Sequence, residues 1–224
     1  MTPSAKTGWR IPAALVALSA VPVAAGVARL LKVAAGADGP ADARFLAHPA
    51  PIALHVVSVS LFCVLGALQF APGLRSRRVG WHRRAGRLLV PCGLVAALSG
   101  LWMTQAYPDA PNAGIGLYAM RLAVGVWMTA CLLLALAAIR RRDIARHGDW
   151  MIRGYAIGQG AGTQVLTGLP WAIAFGTPGV GANTALMAAG WLINLAVAEW
   201  AIRRGARRSP PPAPLAAQAL STAG

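Results

Sequence analysis

Charged side chains are scarce in this sequence, and acidic ones are almost absent. Lys, Arg, Asp and Glu make up 12% of the 224 residues, and only 6 of these charged residues are Asp or Glu. The hydrophobic fraction of 57% and the mean hydropathy of +0.56 exceed the values of ordinary globular domains. The composition therefore excludes a soluble fold and predicts a polytopic membrane protein.

The motifs of several enzyme classes are missing as well. There is no HExxH pair, no GxSxG, and no phosphate-binding or dinucleotide fingerprint, and the acidic residues are too few for a two-metal carboxylate site. Cys63, Cys92 and Cys131 lie inside apolar runs without a CxxC spacing, so we expect them to be small core residues. No metal site and no disulfide framework are predicted.

Six apolar stretches are long enough to cross a bilayer as helices. A helix needs about 20 apolar residues for this, because no backbone group stays unpaired in lipid. The stretches contain Gly, Ala and Ser throughout and lack strict alternation, which favours closely packed helices over a transmembrane barrel. We place them at about 11–31, 49–72, 88–107, 117–139, 150–175 and 183–202. The predicted fold is all-α: one domain, 1–208, formed by a bundle of six transmembrane helices.

The two ends of the chain need separate interpretations. Segment 11–31 could be a first span or a cleaved signal peptide. The signal-peptide interpretation is suggested by Lys6 and Arg10 before the apolar run and by small residues around Ala25. The run continues to Leu31 and is long enough to span, so we favour a first span. Residues 209–224 are rich in Pro and Ala with little charge, and we expect a disordered cytoplasmic tail.

Basic residues are concentrated in alternate loops. Lys and Arg beside a span resist translocation, so the loops that hold them are expected on the cytoplasmic side. Loops 108–116 and 176–182 hold no basic residue. The loops after the second and fourth spans and the C-terminal tail hold Arg75, Arg77, Arg78, Arg83, Arg84, Arg87, Arg140, Arg141, Arg142, Arg146, Arg203, Arg204, Arg207 and Arg208. Both termini are therefore predicted to be cytoplasmic.

The formal net charge of +15 also bears on partners. The arginines lie in short juxtamembrane loops without interleaved aromatic residues, which suits anionic lipid headgroups and not nucleic acid. We expect the lipid bilayer, and no nucleic acid, as the partner of this charge.

Polar side chains inside the spans are the first candidate functional residues, because they are costly in hydrocarbon. His48 and His55 lie seven residues apart on one face of the second span, and Arg121 lies one turn into the fourth span from the same side. Depth makes His55 and Arg121 possible neighbours. They are predicted to line a polar cavity for an anion, a quinone head group or a proton path, together with Gln105, Gln159, Thr163, Gln164 and Asn194.

A second group of candidates meets the cytoplasmic face. His82 precedes the third span, while His147, Asp149 and Arg153 lie at the start of the fifth. Glu199, a further polar intramembrane candidate, lies about one turn inside the end of the sixth. Because these elements reach the same face, we expect the five side chains to converge.

The chain resembles a bacterial family of predicted membrane proteins, domain of unknown function 2306. The resemblance covers about 45–202 and is carried by Leu54-His55, by the run from Gly66 to Phe70, and by two helix starts, 82–87 and 147–156, with patterns HRxxGR and HxxWMxRxYA. It implies a multi-pass protein of the bacterial inner membrane with no established activity. His55, His82, His147, Trp150 and Arg153 are motif positions by this resemblance.

A b-type haem is the most specific hypothesis for the second group. His82 and His147 are on different helices at similar depth, and neighbouring arginines such as Arg153 would meet the propionates. Gly154, Gly158 and Gly162, spaced four residues apart, would give a smooth helix face for the macrocycle.

The same features also have a non-catalytic interpretation. A ladder of small residues commonly forms a helix-packing face, and His beside Trp81 or Trp150 commonly anchors a helix end at the interface. The alternative function is therefore a structural or partner-binding membrane subunit.

Overall fold

The computed structural model of the chain describes residues 7–36, 39, 43–108 and 110–206. These residues form helices and connecting loops, with no strand among them, which confirms the predicted all-α class. A 3-10 turn, Thr7–Trp9, precedes nine α-helices: α1 (Arg10–Ala34), α2 (Ala43–Ala47), α3 (Pro49–Leu68), α4 (Pro72–Arg77), α5 (Val79–Ala106), α6 (Ile115–Arg140), α7 (Ile144–Gly158), α8 (Gly160–Phe175) and α9 (Val180–Ala206).

Five of these helices, α1, α3, α5, α6 and α9, are long and apolar enough to cross a membrane. The fifth predicted span, 150–175, differs from the expectation of one helix, because α7 and α8 meet there with Gln159 between them. Gly158 and Gly160 flank this junction, and glycine is a poor helix former. Together, α7 and α8 cover the length of this fifth predicted span.

The helices pack around α7. α7 lies against α6, α9 and α3, whereas α8 lies against α9 and α1. Further neighbouring pairs include α1 with α3, α3 with α5, α5 with α6, and α6 with α9. The largest buried cluster centres on Phe62, Leu89, Leu132, Tyr155 and Ile157, where α3, α5 and α6 meet α7.

The apolar side chains of the outer surface are exposed in a way that suits lipid. Leu54, Val126, Ile173 and Leu192 are each more than half exposed on the long helices and α8. In water such a surface would be unfavourable, whereas hydrocarbon accepts it.

The three cysteines were expected to be core residues, and the structure agrees for two of them. All three are free thiols; Cys63 and Cys131 are buried, whereas Cys92 is half-buried.

Helix α1 is an integral part of the bundle. The Ser19 hydroxyl bonds to Gln159 at the α7–α8 junction, Gly26 lies against Val56 of α3, and the Leu18 carbonyl packs on α8. These contacts favour the interpretation of segment 11–31 as a span. The predicted tail, 209–224, lies outside the described residues.

Contacts at the two ends of the bundle follow the predicted alternation of helix direction. At one end, Gly8 lies against Pro72, and Arg153 in the second half of α7 pairs with Glu199 in the last third of α9. We call this the arginine-rich end, after the arginines in segments 77–84 and 140–146, where α4 is followed by α5 and α6 by α7. At the opposite end, the Tyr107 hydroxyl donates to the His48 carbonyl and the Asn183 amide donates to the Asn112 carbonyl.

Candidate functional site

A cavity of about 470 Å³ lies among α1, α3, α5, α6, α8 and α9 in the half of the bundle away from the arginine-rich end. We call it the central cavity. Its wall reaches Arg44, Tyr107 and Pro108 at the opposite end and Cys63 and Gly158 at its deepest point. The volume lies within the range of about 300–1,000 Å³ that small-molecule sites occupy.

The junction at Gln159 produces this cavity. α7 fills the middle of the bundle at the arginine-rich end through its contacts with α6, α9 and α3. Beyond Gln159 the chain continues as α8 at the periphery, between α9 and α1. The middle of the opposite half is therefore left without a helix.

The floor of the central cavity is a hydrogen-bonded network around Gln159. The Gln159 amide nitrogen donates to the Tyr155 hydroxyl at 2.6 Å and lies 3.0 Å from the Ser19 hydroxyl. Tyr155 in turn donates to the Cys63 carbonyl at 2.7 Å, and the Cys63 thiol donates to the Gly158 carbonyl at 3.3 Å. Because each buried polar group has a partner, the network fixes three helices rigidly at the base of the cavity.

His55 forms part of the wall on α3. Its Nδ1 lies 2.9 Å from the Ala96 carbonyl oxygen and 3.2 Å from the Ser99 hydroxyl, both on α5. A carbonyl oxygen only accepts, so Nδ1 carries the proton and Nε2 is the acceptor of the neutral ring. Gly100 leaves room for the ring, since a Cβ there would be 3.3 Å from its Cε1. The imidazole thus faces α5.

Two guanidinium groups also line the central cavity. Arg121 extends from α6, and Arg44 of α2 lies at the opposite end. Arg44 donates to the Pro108 carbonyl at 3.0 Å, and its guanidinium lies 4.7 Å from the centre of the Phe45 ring. Within the described part of the chain, no Asp or Glu contributes to this wall.

Of the candidates for a polar intramembrane site, the structure brings four to the central cavity: His55, Arg121, Gln159 and Gln164. They come from α3, α6, the α7–α8 junction and α8. His48 lies outside the lining and packs its ring edge-on against Trp102, with 5.8 Å between ring centres.

The other predicted cavity residues form contacts between helices. Thr163 donates to the Asn194 side chain at 2.6 Å, and Asn194 donates to the Ala156 carbonyl, which joins α8 and α7 to α9. Gln105 accepts from the Tyr118 hydroxyl at 2.7 Å. These polar groups are used in packing and do not line the cavity.

At the arginine-rich end, Arg153 and Glu199 meet directly in the ion pair, and the Arg153 guanidinium also lies 4.8 Å from the centre of the Trp150 ring. His147 directs its Nδ1 to the Ala135 carbonyl at 2.9 Å, and His82 is in the first turn of α5. Neither histidine lines the central cavity. Among the described residues, no three His, Cys, Asp or Glu side chains are grouped to hold a metal ion.

The glycine ladder of α7 and α8 is covered by protein. A Cβ at Gly154 would be 3.2 Å from a Leu132 methyl, and one at Gly158 would be 2.9 Å from the Phe62 ring. At Gly162 it would overlap the Leu18 carbonyl. The ladder is therefore a helix-packing face for α6, α3 and α1.

Sequence reasoning did not find Ser19, Cys63, Tyr155 or Arg44. Tyr155 offered a signal, because a tyrosine in the middle of an apolar run needs a buried partner for its hydroxyl. Gly66 shows how closely this ring is held, since a Cβ there would be 2.5 Å from Tyr155 Cε2. No local pattern connects Ser19 or Arg44 with residues more than 60 positions away.

These features define a polytopic helical membrane protein with a cavity inside its bundle. The chain belongs to the family of predicted membrane proteins called DUF2306, which matches residues 52–202 and confirms the family resemblance. No curated protein and no solved structure matches the chain. The family region includes the cavity residues of α3, α5, α6, α8 and α9, whereas Ser19 and Arg44 lie before it.

Proposed function

We propose that this protein binds a small lipophilic molecule with a polar head in the central cavity. The observation that carries the proposal is the approach of His55, Arg121 and Gln164, from three separate helices, to one open space. Polar groups from distant parts of a chain that face a mostly apolar cavity are characteristic of sites for small molecules.

The wall supports a ligand with two chemically different parts. Val59, Val124, Met128, Ile157 and Trp191 provide apolar surface for a hydrocarbon body. The polar groups named above provide hydrogen bonds for a head. A quinone or an amphiphilic acid has this division, and both reach such a site from the membrane or from its surface.

Access to the cavity is testable with cysteines. In a variant whose three native cysteines are alanine, Val124→Cys places a thiol in the wall, and Val126→Cys on the same helix is the matched control, because Val126 is 59% exposed on the outer surface. N-ethylmaleimide reacts with the thiolate, which forms in a hydrated cavity and not in hydrocarbon. We expect position 124 to react much faster than position 126 in nanodiscs.

Ligand binding is tested in the same preparation. Decylubiquinone or octanoate is added before N-ethylmaleimide, and the proposal requires that at least one of them slows the modification of position 124. Equal, slow reaction at 124 and 126 would contradict an accessible cavity. Fast reaction at 124 without protection by either compound would assign the space to water and favour the structural or partner-binding subunit.

A further inference from the structure

We infer that the head group held in the central cavity carries a hydroxyl, which donates a hydrogen bond to Nε2 of His55. The inference rests on the proposed ligand binding and names its substrate class: an amphiphilic alcohol or phenol, a class that includes reduced quinones. It is carried by the tautomer of His55, by the accessibility of Nε2 and by the other polar groups of the wall.

The contact with α5 leaves the His55 ring with one acceptor to offer. Its Nδ1 lies 2.9 Å from the Ala96 carbonyl oxygen and 3.2 Å from the Ser99 hydroxyl oxygen. That hydroxyl donates to the Val95 carbonyl at 2.6 Å, so it presents a lone pair to the ring. Because both neighbours of Nδ1 accept, Nδ1 carries the ring proton. In the neutral imidazole the lone pair is then on Nε2, and a partner of this atom has to be a donor.

The Nε2 atom of His55 is open to the central cavity. The described part of the chain places no hydrogen-bond donor against it, and the atom keeps exposed surface. Val56 and Val59, on the same side of α3, line the cavity together with His55, whereas Leu54 and Val57 face outward and are more than half exposed. The open edge of the ring is therefore on the cavity side of the helix.

Other polar groups of the wall complete the hydrogen bonds of a hydroxyl. Ser60 brings its own hydroxyl, and the Gln164 amide uses one of its two N–H groups on the Met187 carbonyl at 3.1 Å, which leaves the second. The wall thus offers donors as well as the His55 acceptor. A ligand hydroxyl uses both kinds, because its hydrogen donates and its oxygen accepts. A ketone, an ether or a carboxylate only accepts and would leave Nε2 unpaired beside the bound head.

The depth of His55 sets the orientation of the ligand. It is the seventh residue of α3, so its Cα lies about 9 Å along the helix from the opposite end of the bundle. Cys63, at the floor of the cavity, lies about 12 Å further along the same helix. The wall between them includes Val59 and accommodates an apolar body that points to the floor, with the hydroxyl beside His55.

The first test compares two probes that differ in one donor, on the Val124→Cys protein in nanodiscs. Menthol and menthone share their carbon skeleton, and the ketone of menthone does not donate. Probe concentrations are corrected for partition into empty nanodiscs. We expect menthol to slow N-ethylmaleimide modification at concentrations at least about tenfold lower than menthone, because menthone leaves the His55 acceptor unpaired. Equal protection, or better protection by menthone, would overturn the inference.

The second test changes the histidine. His55→Phe keeps an aromatic ring and removes the acceptor, so it should raise the protective concentration of menthol at least about tenfold without weakening that of menthone. His55→Gln supplies an amide oxygen and should recover part of the preference. The matched control is Thr104→Val, because Thr104 also lines the cavity but donates to the Gly100 carbonyl of its own helix at 2.8 Å. A preference for menthol that survives in His55→Phe would refute the role of this residue.

The two members of the class are separated by thymol, which has the carbon skeleton of menthol and a phenol hydroxyl. Protection at lower concentrations of thymol than of menthol assigns the site to phenols, and the reverse order assigns it to alcohols.

Failure of the inference and failure of the proposed function give different results. If decylubiquinone or octanoate protects position 124 and menthol does not, the cavity binds ligands without recognising a hydroxyl. Slow reaction at position 124, or absence of protection by every probe, contradicts the proposed function itself. The comparison of menthol with menthone uses the unaltered His55, so it remains decisive even if His55→Phe does not fold.

Discussion

Arg153 on α7 and Glu199 on α9 form a two-pronged ion pair, with 2.5 Å between Nε and Oε1 and 3.1 Å between Nη2 and Oε2. The Arg153 side chain is 20% exposed and the Glu199 side chain 37% exposed. The pair thus joins two helices that are far apart in sequence. It also accounts for two charges inside predicted spans, because each neutralises the other.

Removing one member of this pair should destabilise the protein more than removing both. Arg153→Met leaves Glu199 without its partner, and we expect a loss of about 1–3 kcal/mol, because an uncompensated charge remains in a partly buried position. The double variant Arg153→Met with Glu199→Met should lose less. Thermal unfolding in detergent measures both, with Arg146→Gln as the control, since its pair with Asp143 is 3.8 Å long and exposed. A double variant as unstable as the single one would contradict the coupling.

The Tyr155 hydroxyl should be important for stability. Tyr155→Phe deprives the Cys63 carbonyl of its donor and Gln159 of its acceptor, so we expect a loss of about 1–3 kcal/mol. Tyr118→Phe is the matched control, because that hydroxyl bonds to an exposed Gln105. Equal unfolding temperatures for the two variants would show that the network around Gln159 contributes nothing.

The packing of α1 on α8 predicts opposite outcomes at two glycines of the same helix. Gly162→Ala would bring a methyl group into the Leu18 carbonyl, so we expect a strongly destabilised protein. Gly168→Ala meets nothing within 4 Å, and the better helix propensity of alanine makes it neutral or stabilising by up to about 1 kcal/mol. Yield and unfolding temperature in detergent distinguish them, and a well-tolerated Gly162→Ala would refute this contact.

The haem hypothesis for His82 and His147 remains a prediction with a direct spectroscopic test. It requires a Soret band in the purified protein that shifts on reduction with dithionite and disappears in His82→Ala or His147→Ala. His48→Ala is the control, since that residue packs on Trp102 at the other end of the bundle. A folded, colourless preparation would remove the hypothesis.

The orientation of the bundle is the remaining prediction. Reporter fusions after Arg78 and Arg142 should have cytoplasmic activity, and fusions after Asn112 and Gly179 should have periplasmic activity, because the basic residues retain their loops inside. Opposite locations for Trp81 and Trp150 would refute the predicted six crossings.

The bundle was more predictable than its cavity. Length and hydropathy located every long helix to within a few residues at most ends, because a span must be apolar and must satisfy its own backbone. Length and hydropathy did not predict the junction at Gln159, because a glutamine between two glycines is compatible with one continuous helix as well as with two helices that meet there. The sequence predicted one polar site, and four of its side chains line the central cavity: His55, Arg121, Gln159 and Gln164. Another, His48, shares a helix face with His55, but it lies at the N-terminal end of α3 and packs against Trp102.

The sequence determined that this is a helical membrane protein, because the length and apolarity of a span are local properties of the composition. Which polar side chains meet depended on tertiary packing. Ser19 and Gln159 are 140 residues apart and Arg153 and Glu199 are 46 apart, so only the arrangement of α1, α7 and α9 brings them together. The central cavity also depends on tertiary packing. It lies beyond the end of α7, where the chain continues as α8 at the periphery and no helix fills the middle of the bundle.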